Sequence, residues 1–154
     1  MKLGMAGAAL LGALLFGCSD AAGPSLSEDE DLVLQILDLR EPGELPDDQA
    51  TITSARVEGR TLHLTVQFGG GCGRHRFGLV AGTAFGESLP LYTVFRLAHD
   101  GGGDPCDALL TRNLRVDLSP IVPLVQQGGG TALRFELLEP GEHPSAVGEL
   151  LLTF

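Results

Sequence analysis

Two glycine-rich segments hold most of the residue types in this chain that can carry out chemistry. Residues 69–75 read Gly-Gly-Gly-Cys-Gly-Arg-His, and residues 99–107 read His-Asp-Gly-Gly-Gly-Asp-Pro-Cys-Asp. Each segment contains a cysteine, a histidine and a run of three glycines. This parallel composition predicts that the two segments meet in space. Side chains of these types form disulfides or bind metal ions.

The first interpretation of these segments is a disulfide between Cys72 and Cys106. The chain has three cysteines, so these two form an even pair if Cys18 has another fate. Glycines near both cysteines let the two backbones approach to about 5.5 Å, the usual Cα separation of a disulfide. In the chain-entropy description, closing a loop of about 35 residues stabilises a fold by ~4 kcal/mol.

Metal binding by the same segments is the alternative, in two forms. The zinc form takes four ligands, in the Cys₂His₂ set that suits this ion: Cys72, His75, His99 and Cys106. The calcium form takes three carboxylates from a flexible, glycine-rich backbone: Asp100, Asp104 and Asp107. The aspartate spacing does not match the EF-hand loop, so it names no particular calcium-binding family.

The other histidines and the known enzymatic motifs add no catalytic signal. His75 leads a candidate strand and shares a face with Phe77 and Leu79, so we expect it to be buried and hydrogen-bonded at the edge of a core. His63 falls on a polar strand face, and His143 lies in a turn. Gly-x-Ser-x-Gly, Walker and His-Glu-x-x-His motifs are absent. The sequence therefore predicts a protein that is not an enzyme and needs no cofactor.

An export signal is predicted over residues 1–17. Lys2 supplies a positive start, and residues 3–16 form an uncharged apolar stretch. This stretch is shorter than the ~20 residues that span a membrane and fits the core of a signal peptide. The residues Leu15-Phe16-Gly17-Cys18 then resemble the lipobox of bacterial lipoproteins: Leu, a small or medium residue, Gly or Ala, and the lipidated cysteine.

The resemblance to bacterial lipoproteins implies a location and a membrane partner. It implies cleavage before Cys18 and a lipid anchor of at least two acyl chains, palmitate among them, on that cysteine. Two chains hold a protein on a bilayer where a single chain is marginal. Ser19 stands where an Asp favours inner-membrane retention in enteric-type bacteria. The implied site is the cell envelope, on the outer membrane or on the cell membrane if there is no outer one, facing the periplasm or the exterior.

Charge and composition describe the segment that follows. Residues 18–31 are predicted to be a lipidated, acidic and flexible tether that contains the run Glu28-Asp29-Glu30-Asp31. The whole chain carries 10 Lys+Arg and 20 Asp+Glu, a net charge of −10. Cleavage would remove Lys2 and leave nine basic residues and a net charge of −11. Nucleic acid is therefore excluded as a partner, because its binding needs clustered cationic charge.

Residues 32–154 are predicted to form one all-β domain. Leu62, Leu64, Val66 and Phe68 alternate with polar residues, which is the period of a half-buried strand. Residues 52–57 and the turn 58–60 predict its hairpin partner. The other candidate strands are residues 32–39, 75–80, 91–97, 114–118, 133–138 and 150–154. Connections rich in Gly and Pro favour an antiparallel β-sandwich of the immunoglobulin or fibronectin type III kind.

These observations together predict a membrane-anchored, extracytoplasmic lipoprotein. Its β-sandwich would be a binding or scaffolding domain stapled by the Cys72–Cys106 disulfide. The partner, a protein or a small molecule, is not identified by the sequence. The alternative function is a metal-binding lipoprotein that holds zinc or calcium in the two glycine-rich segments.

Overall fold

A computed structural model describes residues 24–37, 45–86, 88–141 and 145–154 of the chain. The predicted signal peptide, Cys18 and His143 lie outside these residues. The elements in chain order are β1 (Asp31–Val33), β2 (Gln35–Leu37), β3 (Ala50–Glu58), β4 (Thr61–Gly70), β5 (Arg76–Gly82), β6 (Leu91–Asp100), β7 (Ala108–Asp117), a 3₁₀ turn (Ser119–Ile121), α1 (Val122–Gln127), β8 (Ala132–Leu138) and β9 (Ala146–Thr153). In this part of the chain, no helix has both the length and the apolar character needed to cross a bilayer.

The strands form two sheets that pack face to face, which confirms the predicted all-β sandwich. One sheet has the order β1-β7-β4-β3, and the other has the order β2-β5-β6-β8-β9. The hairpins β3–β4, β5–β6 and β8–β9 are antiparallel, as expected for strands joined by short turns. The pairs β1–β7, β2–β5 and β6–β8 are parallel, so both sheets are mixed. Each of these three pairs joins strands that are not consecutive in the chain. Turn residues in the sequence predict only pairs of consecutive strands, so they do not predict these three.

The core lies between the sheets and follows the predicted alternation. Leu62, Leu64, Val66 and Phe68 of β4 are all buried. The facing sheet contributes three fully buried phenylalanines, Phe77, Phe95 and Phe135. Phe95 and Phe135 stack with their ring centroids 4.1 Å apart. Burying an apolar side chain of this size contributes roughly 1.5–3 kcal/mol, so this layer holds the sheets together.

Three elements differ from the sequence-based expectation. The predicted strand 32–39 is divided at Leu34, so that β1 joins one sheet and β2 joins the other. The predicted strand 114–118 is the end of the much longer β7, which begins at Ala108. The connection from β7 to β8 contains α1, which has a proline in its first turn and buries Val122 and Val125. Proline is favoured at that position because its missing N–H has no partner there in any case.

Backbone pairing with the sandwich is present at Ser27, within the segment predicted as a tether. Ser27 exchanges two backbone hydrogen bonds with Phe77, of 2.8 and 2.7 Å. Asp31 accepts two hydrogen bonds from the guanidinium of Arg115, of 2.6 and 2.9 Å. Asp31, the last residue of the acidic run, is therefore paired with an arginine of β7, because β1 lies directly beside that strand.

Candidate functional site

The two glycine-rich segments meet at one end of the sandwich. The end of β4 at Gly70 pairs with the start of β7 at Ala108. The start of β5 at Arg76 pairs with the end of β6 at Asp100. The β4–β5 and β6–β7 connections therefore leave the same end of the two sheets. The predicted disulfide joins them: Cys72 and Cys106 are bonded, with 5.8 Å between their Cα atoms and a sequence separation of 34.

The Asp104 carboxylate organises both connections around itself. Its Oδ2 atom accepts hydrogen bonds from the backbone N–H groups of Gly71, Cys72 and Gly73, at 2.8, 2.9 and 2.7 Å. Its Oδ1 atom accepts one from the N–H of Cys106 at 2.9 Å. These donors, first Cys106 and then Gly73, hold the pKa of the Asp104 carboxyl far below its usual range, because they stabilise the charged form. The group is therefore an anion that only accepts hydrogen bonds.

Two buried histidines extend from this carboxylate in a row. His75 is 3% exposed and His99 is 2% exposed. Nε2 of His75 lies 3.1 Å from Oδ2 of Asp104, and Nδ1 of His75 lies 3.0 Å from Nε2 of His99. Nδ1 of His99 lies 3.0 Å from the backbone carbonyl oxygen of Asp48. The row therefore links the segment before β3, the β4–β5 connection and the β6–β7 connection. We call these four groups the histidine relay.

Aromatic rings and one arginine enclose the histidine relay. The ring centroid of Phe68 lies 4.6 Å from that of His75, and Phe77 stacks on His99 at 4.4 Å with 7° between the ring planes. Burial lowers the pKa of His99, because an apolar setting disfavours the charged ring. Arg112 donates a 2.9 Å hydrogen bond to the backbone carbonyl of His75, and its guanidinium lies over the Phe68 ring at 5.6 Å. These groups pack against the relay on the side away from solvent.

Glycine is required where the backbone passes the His75 ring. A Cβ atom added at Gly70 would lie 2.3 Å from Nε2 of His75 and 3.0 Å from Oδ2 of Asp104. A Cβ atom added at Gly101 would lie 3.3 Å from Nδ1 of His75. The glycine runs of the two segments therefore leave space for the histidine ring, in addition to forming turns.

A cleft of about 490 Å³ opens beside the histidine relay. Polar side chains of Gln49, Thr51 and Gln67 contribute to its walls, and Leu109 forms part of its rim. Leu109 is 72% exposed, which is high for a leucine in a strand. The volume lies within the range of small-molecule sites, roughly 300–1,000 Å³.

The structure brings together part of the predicted zinc set. His75 and His99 are adjacent, but Cys72 and Cys106 are bonded to each other and so offer no thiolate. The two histidine nitrogens are 3.0 Å apart. Two ligands of a tetrahedral zinc ion, each ~2.05 Å from the metal, would be about 3.3 Å apart. The observed contact is therefore that of a hydrogen bond.

The predicted calcium ligands point to separate partners. Asp100 forms an ion pair with Arg76 and accepts the N–H of Gly102 at 2.8 Å. Both oxygens of Asp104 are occupied by N–H donors of the connections. Asp107 is exposed. Across residues 24–37, 45–86, 88–141 and 145–154, the one group of three or more potential ligands within reach of one ion is Cys72, Asp104 and Cys106.

Comparison with known proteins gives the fold of this chain but no family. No protein-family model matches the sequence, and no curated protein matches it. Similar solved structures include a protein described as toxin-related from Parabacteroides distasonis, which is 16% identical with a TM-score of 0.58 over 79% of this chain. A NigD-like immunity protein from Bacteroides caccae is 19% identical with a TM-score of 0.50 over 77% of this chain. A protein described as a lipoprotein from Bacteroides fragilis is 14% identical with a TM-score of 0.51 over 78% of this chain.

These likenesses establish a shared fold alone. The matched region covers 61%, 58% and 70% of the three chains, in the same order. This chain therefore spans less than two thirds of the length of the first two. Activities and partners of those longer proteins are not carried over by the shared fold.

The sequence predicts the histidines of the site but not their partners. His75 is expected to be buried and hydrogen-bonded, and its ring is both. Asp104 is expected only as a calcium ligand, although an aspartate inside a glycine run is also a good acceptor for loop N–H groups. The carbonyl of Asp48 gave no signal, because any residue carries one. His63 is half-buried beside Glu58, with 3.4 Å between Nε2 and Oε2.

Proposed function

We propose that this chain is a lipoprotein of the bacterial cell envelope, anchored through lipid on Cys18, whose β-sandwich binds a partner at the cleft without catalysing a reaction. The observation that carries the proposal is the Cys72–Cys106 disulfide. Structural disulfides persist in exported proteins and are rare in the cytosol. The lipobox-like residues 15–18 supply the route of export and the anchor.

The names of two similar structures support the same location. One is described as a lipoprotein and the other as a NigD-like immunity protein. Their identities to this chain are 14% and 19%, so the names support the proposal only together with the lipobox and the disulfide.

The state of the histidine relay supports binding over catalysis. Both ring nitrogens of His75 and both of His99 are occupied by contacts within the protein. A general base needs a ring nitrogen within hydrogen-bond reach of the substrate. The cleft instead presents amide and hydroxyl side chains and the exposed Leu109, which are groups that recognise a surface or a small polar molecule.

Lipidation is tested by metabolic labelling with an alkyne analogue of palmitate in a bacterium that exports the chain. The wild-type protein should be labelled and should enter the detergent phase on phase separation. Cys18→Ser should lose both properties, because its oxygen forms no thioether. The matched control Ser19→Ala, one residue later, should keep both. Label that persists in Cys18→Ser would contradict the proposal, as would an unlabelled wild-type protein.

Binding at the cleft is tested by placing a photo-crosslinking amino acid at Leu109. The control position is Leu89, which is 80% exposed and lies between β5 and β6, at the opposite end of that hairpin from the disulfide. Position 109 should give a discrete crosslinked species in living cells, and position 89 should not. Equal patterns from both positions, or none from either, would contradict a partner at the cleft. Substrate turnover that depends on His75 or His99 would contradict the non-catalytic assignment.

A further inference from the structure

The histidine relay ends on a hydrogen-bond acceptor at each side. The Asp104 carboxylate is ionised, because loop N–H groups hold its pKa far below the usual range. The backbone carbonyl of Asp48 has no proton to give. The three contacts of the relay are 3.1, 3.0 and 3.0 Å long, which is the length of hydrogen bonds between heavy atoms. Each contact therefore requires one proton.

The three contacts need three protons, which is one more than two neutral histidine rings provide. A neutral imidazole carries a single N–H, so His75 and His99 in their neutral forms supply two protons for three contacts. With two protons, one contact would place two lone pairs against each other at about 3 Å in a buried site. A third proton removes this conflict and gives every nitrogen a partner.

We propose that His75 and His99 together hold three N–H protons, and hence one positive charge, at neutral pH, and that this extra proton is a pH-sensitive latch that closes the floor of the cleft. The latch does not depend on lipidation or on the identity of a partner. It goes beyond the proposed binding function by making the shape of the binding cleft respond to pH.

The same contacts indicate that the extra proton, and with it the positive charge, lies on His75. With the extra proton on His75, its Nε2–H donates to Asp104 and its Nδ1–H donates to Nε2 of His99. The Nδ1–H of a neutral His99 then donates to the carbonyl of Asp48. Burial lowers the pKa of His99, in agreement with a neutral ring there. The side chains of His75 and Asp104 are 3% and 2% exposed, with 3.1 Å between Nε2 and Oδ2, so the proposed extra proton would lie in a close, buried contact with the carboxylate.

Charged groups on the surrounding elements leave this pair intact. On β7, Arg112 contacts the backbone carbonyl of His75 and the face of Phe68, not the ring nitrogens. On β5 and β6, Arg76 and Asp100 neutralise each other in an ion pair.

The segments before β3 and after β6 contribute carboxylates. The Asp48 carboxylate accepts the N–H of Gly101 at 2.7 Å, so it is directed to the backbone. Asp107 and Asp47 are exposed. Within the described residues, Asp104 is thus the one charged side chain in hydrogen-bond contact with a nitrogen of either relay ring.

The latch joins the segment before β3 to the end of β6. His99 donates its backbone N–H to Pro46 at 3.0 Å and accepts that of Asp48 at 3.1 Å. The ring contact between His99 and the Asp48 carbonyl reinforces these bonds. Loss of the extra proton at alkaline pH leaves one relay contact repulsive. The backbone bonds of His99 to Pro46 and Asp48 should then open more often, and Asp48 and His99 both line the cleft.

A metal ion is the other cation that can lie between two facing lone pairs. The nitrogen separation of 3.0 Å fits a shared proton and is shorter than the ~3.3 Å expected for a tetrahedral zinc site. The structure therefore favours the proton, and zinc binding becomes an outcome of the test.

The test is NMR of the full chain, labelled with ¹⁵N and purified in detergent micelles. Long-range ¹H–¹⁵N spectra report which ring nitrogens are protonated. At pH 7.5, where free imidazole (pKa about 6.5) is mostly neutral, His75 should show two protonated nitrogens and His99 the Nδ1–H form. On raising the pH, both rings should shift in one shared step. Two neutral rings at pH 7.5, or displacement of the ring N–H signals by one equivalent of Zn²⁺, would overturn the proposal.

Two further measurements separate the latch from a merely structural role. Asp104→Asn should remove the second proton from His75 at pH 7.5, and the matched control Asp107→Asn should leave it in place. Hydrogen exchange covers the case in which Asp104→Asn does not fold. In the wild-type chain, the amides of Asp48 and His99 should exchange at least about tenfold faster above the shared step than below it, after correction for intrinsic pH dependence, while that of Leu64 should not. Equal changes at all three amides would refute the latch.

Discussion

Adding one methyl group at Gly70 should disrupt the histidine relay, whereas the same change at Gly69 should not. The Cβ of an alanine at position 70 would lie 2.3 Å from Nε2 and 2.7 Å from Cε1 of His75. Nothing lies within 4 Å of a Cβ added at position 69. The two glycines are neighbours at the end of β4, so Gly69→Ala is a matched control for the effect of alanine on the strand.

The size of the effect follows from how firmly the His75 ring is held. Ordinary carbon contacts are about 3.5–4 Å, so the ring would have to move by more than 1 Å. It is fixed by contacts at both nitrogens and packs 4.6 Å from the Phe68 centroid, so no vacant position is close. Overpacking costs about 1–3 kcal/mol, and a buried donor left without a partner costs a similar amount. We expect Gly70→Ala to lower the free energy of unfolding by about 3 kcal/mol.

Urea unfolding at pH 7, followed by circular dichroism, measures this difference. Gly69→Ala should stay within about 0.5 kcal/mol of the wild type, as is usual for exposed positions. The m-values should be equal, which would show that the change acts on stability and not on the compactness of either state. If Gly70→Ala were as stable as Gly69→Ala, the ring of His75 would not be fixed by the relay, and the reasoning would be refuted.

Three further predictions concern the disulfide, the pH dependence and the rim of the cleft. The double variant Cys72→Ser with Cys106→Ser should lose about 4 kcal/mol in urea unfolding; a loss under about 1 kcal/mol would contradict the staple. Stability should fall as the pH is lowered from about 6.5 to 3. The lowered pKa of His99 makes the unfolded chain take up more protons below about pH 6.5, and the lowered pKa of Asp104 does so below about pH 4. A flat profile in urea titrations at about pH 6.5, 5 and 3 would show this sign to be wrong. Leu109→Ser should change stability by less than about 0.5 kcal/mol, because the side chain is 72% exposed, and should weaken partner capture measured by pull-down.

The sequence predicts the strands whose two faces differ in polarity. Alternation from Leu62 to Phe68 reports β4 because one face of that strand is buried and the other is not. The first half of β7 gives no such pattern, because Leu109 is exposed while Arg112 points its guanidinium over the Phe68 ring. The division at Leu34 also escapes periodicity, since one apolar run serves two sheets in turn.

The residue types of the site can be predicted from the sequence, but the contacts between these residues cannot. The similar composition of the two segments predicts the disulfide, because exported chains pair their cysteines and glycines permit close approach of the two backbones. The contact of His75 with Asp104 spans 29 residues, and that of His99 with Asp48 spans 51. Such contacts depend on sheet register, which local sequence does not determine.

The chain around Leu34 covers an edge of each sheet. β1 is the outermost strand of one sheet and β2 is the outermost strand of the other, and each has three residues. Displacing this short stretch would bare β7 and β5 together, and unpaired strand edges are templates for another chain. Loss of this stretch should therefore leave two edges open to pairing with another chain. Truncation beyond Asp31 would make such intermolecular pairing, and then aggregation, the main hazard of the shortened protein.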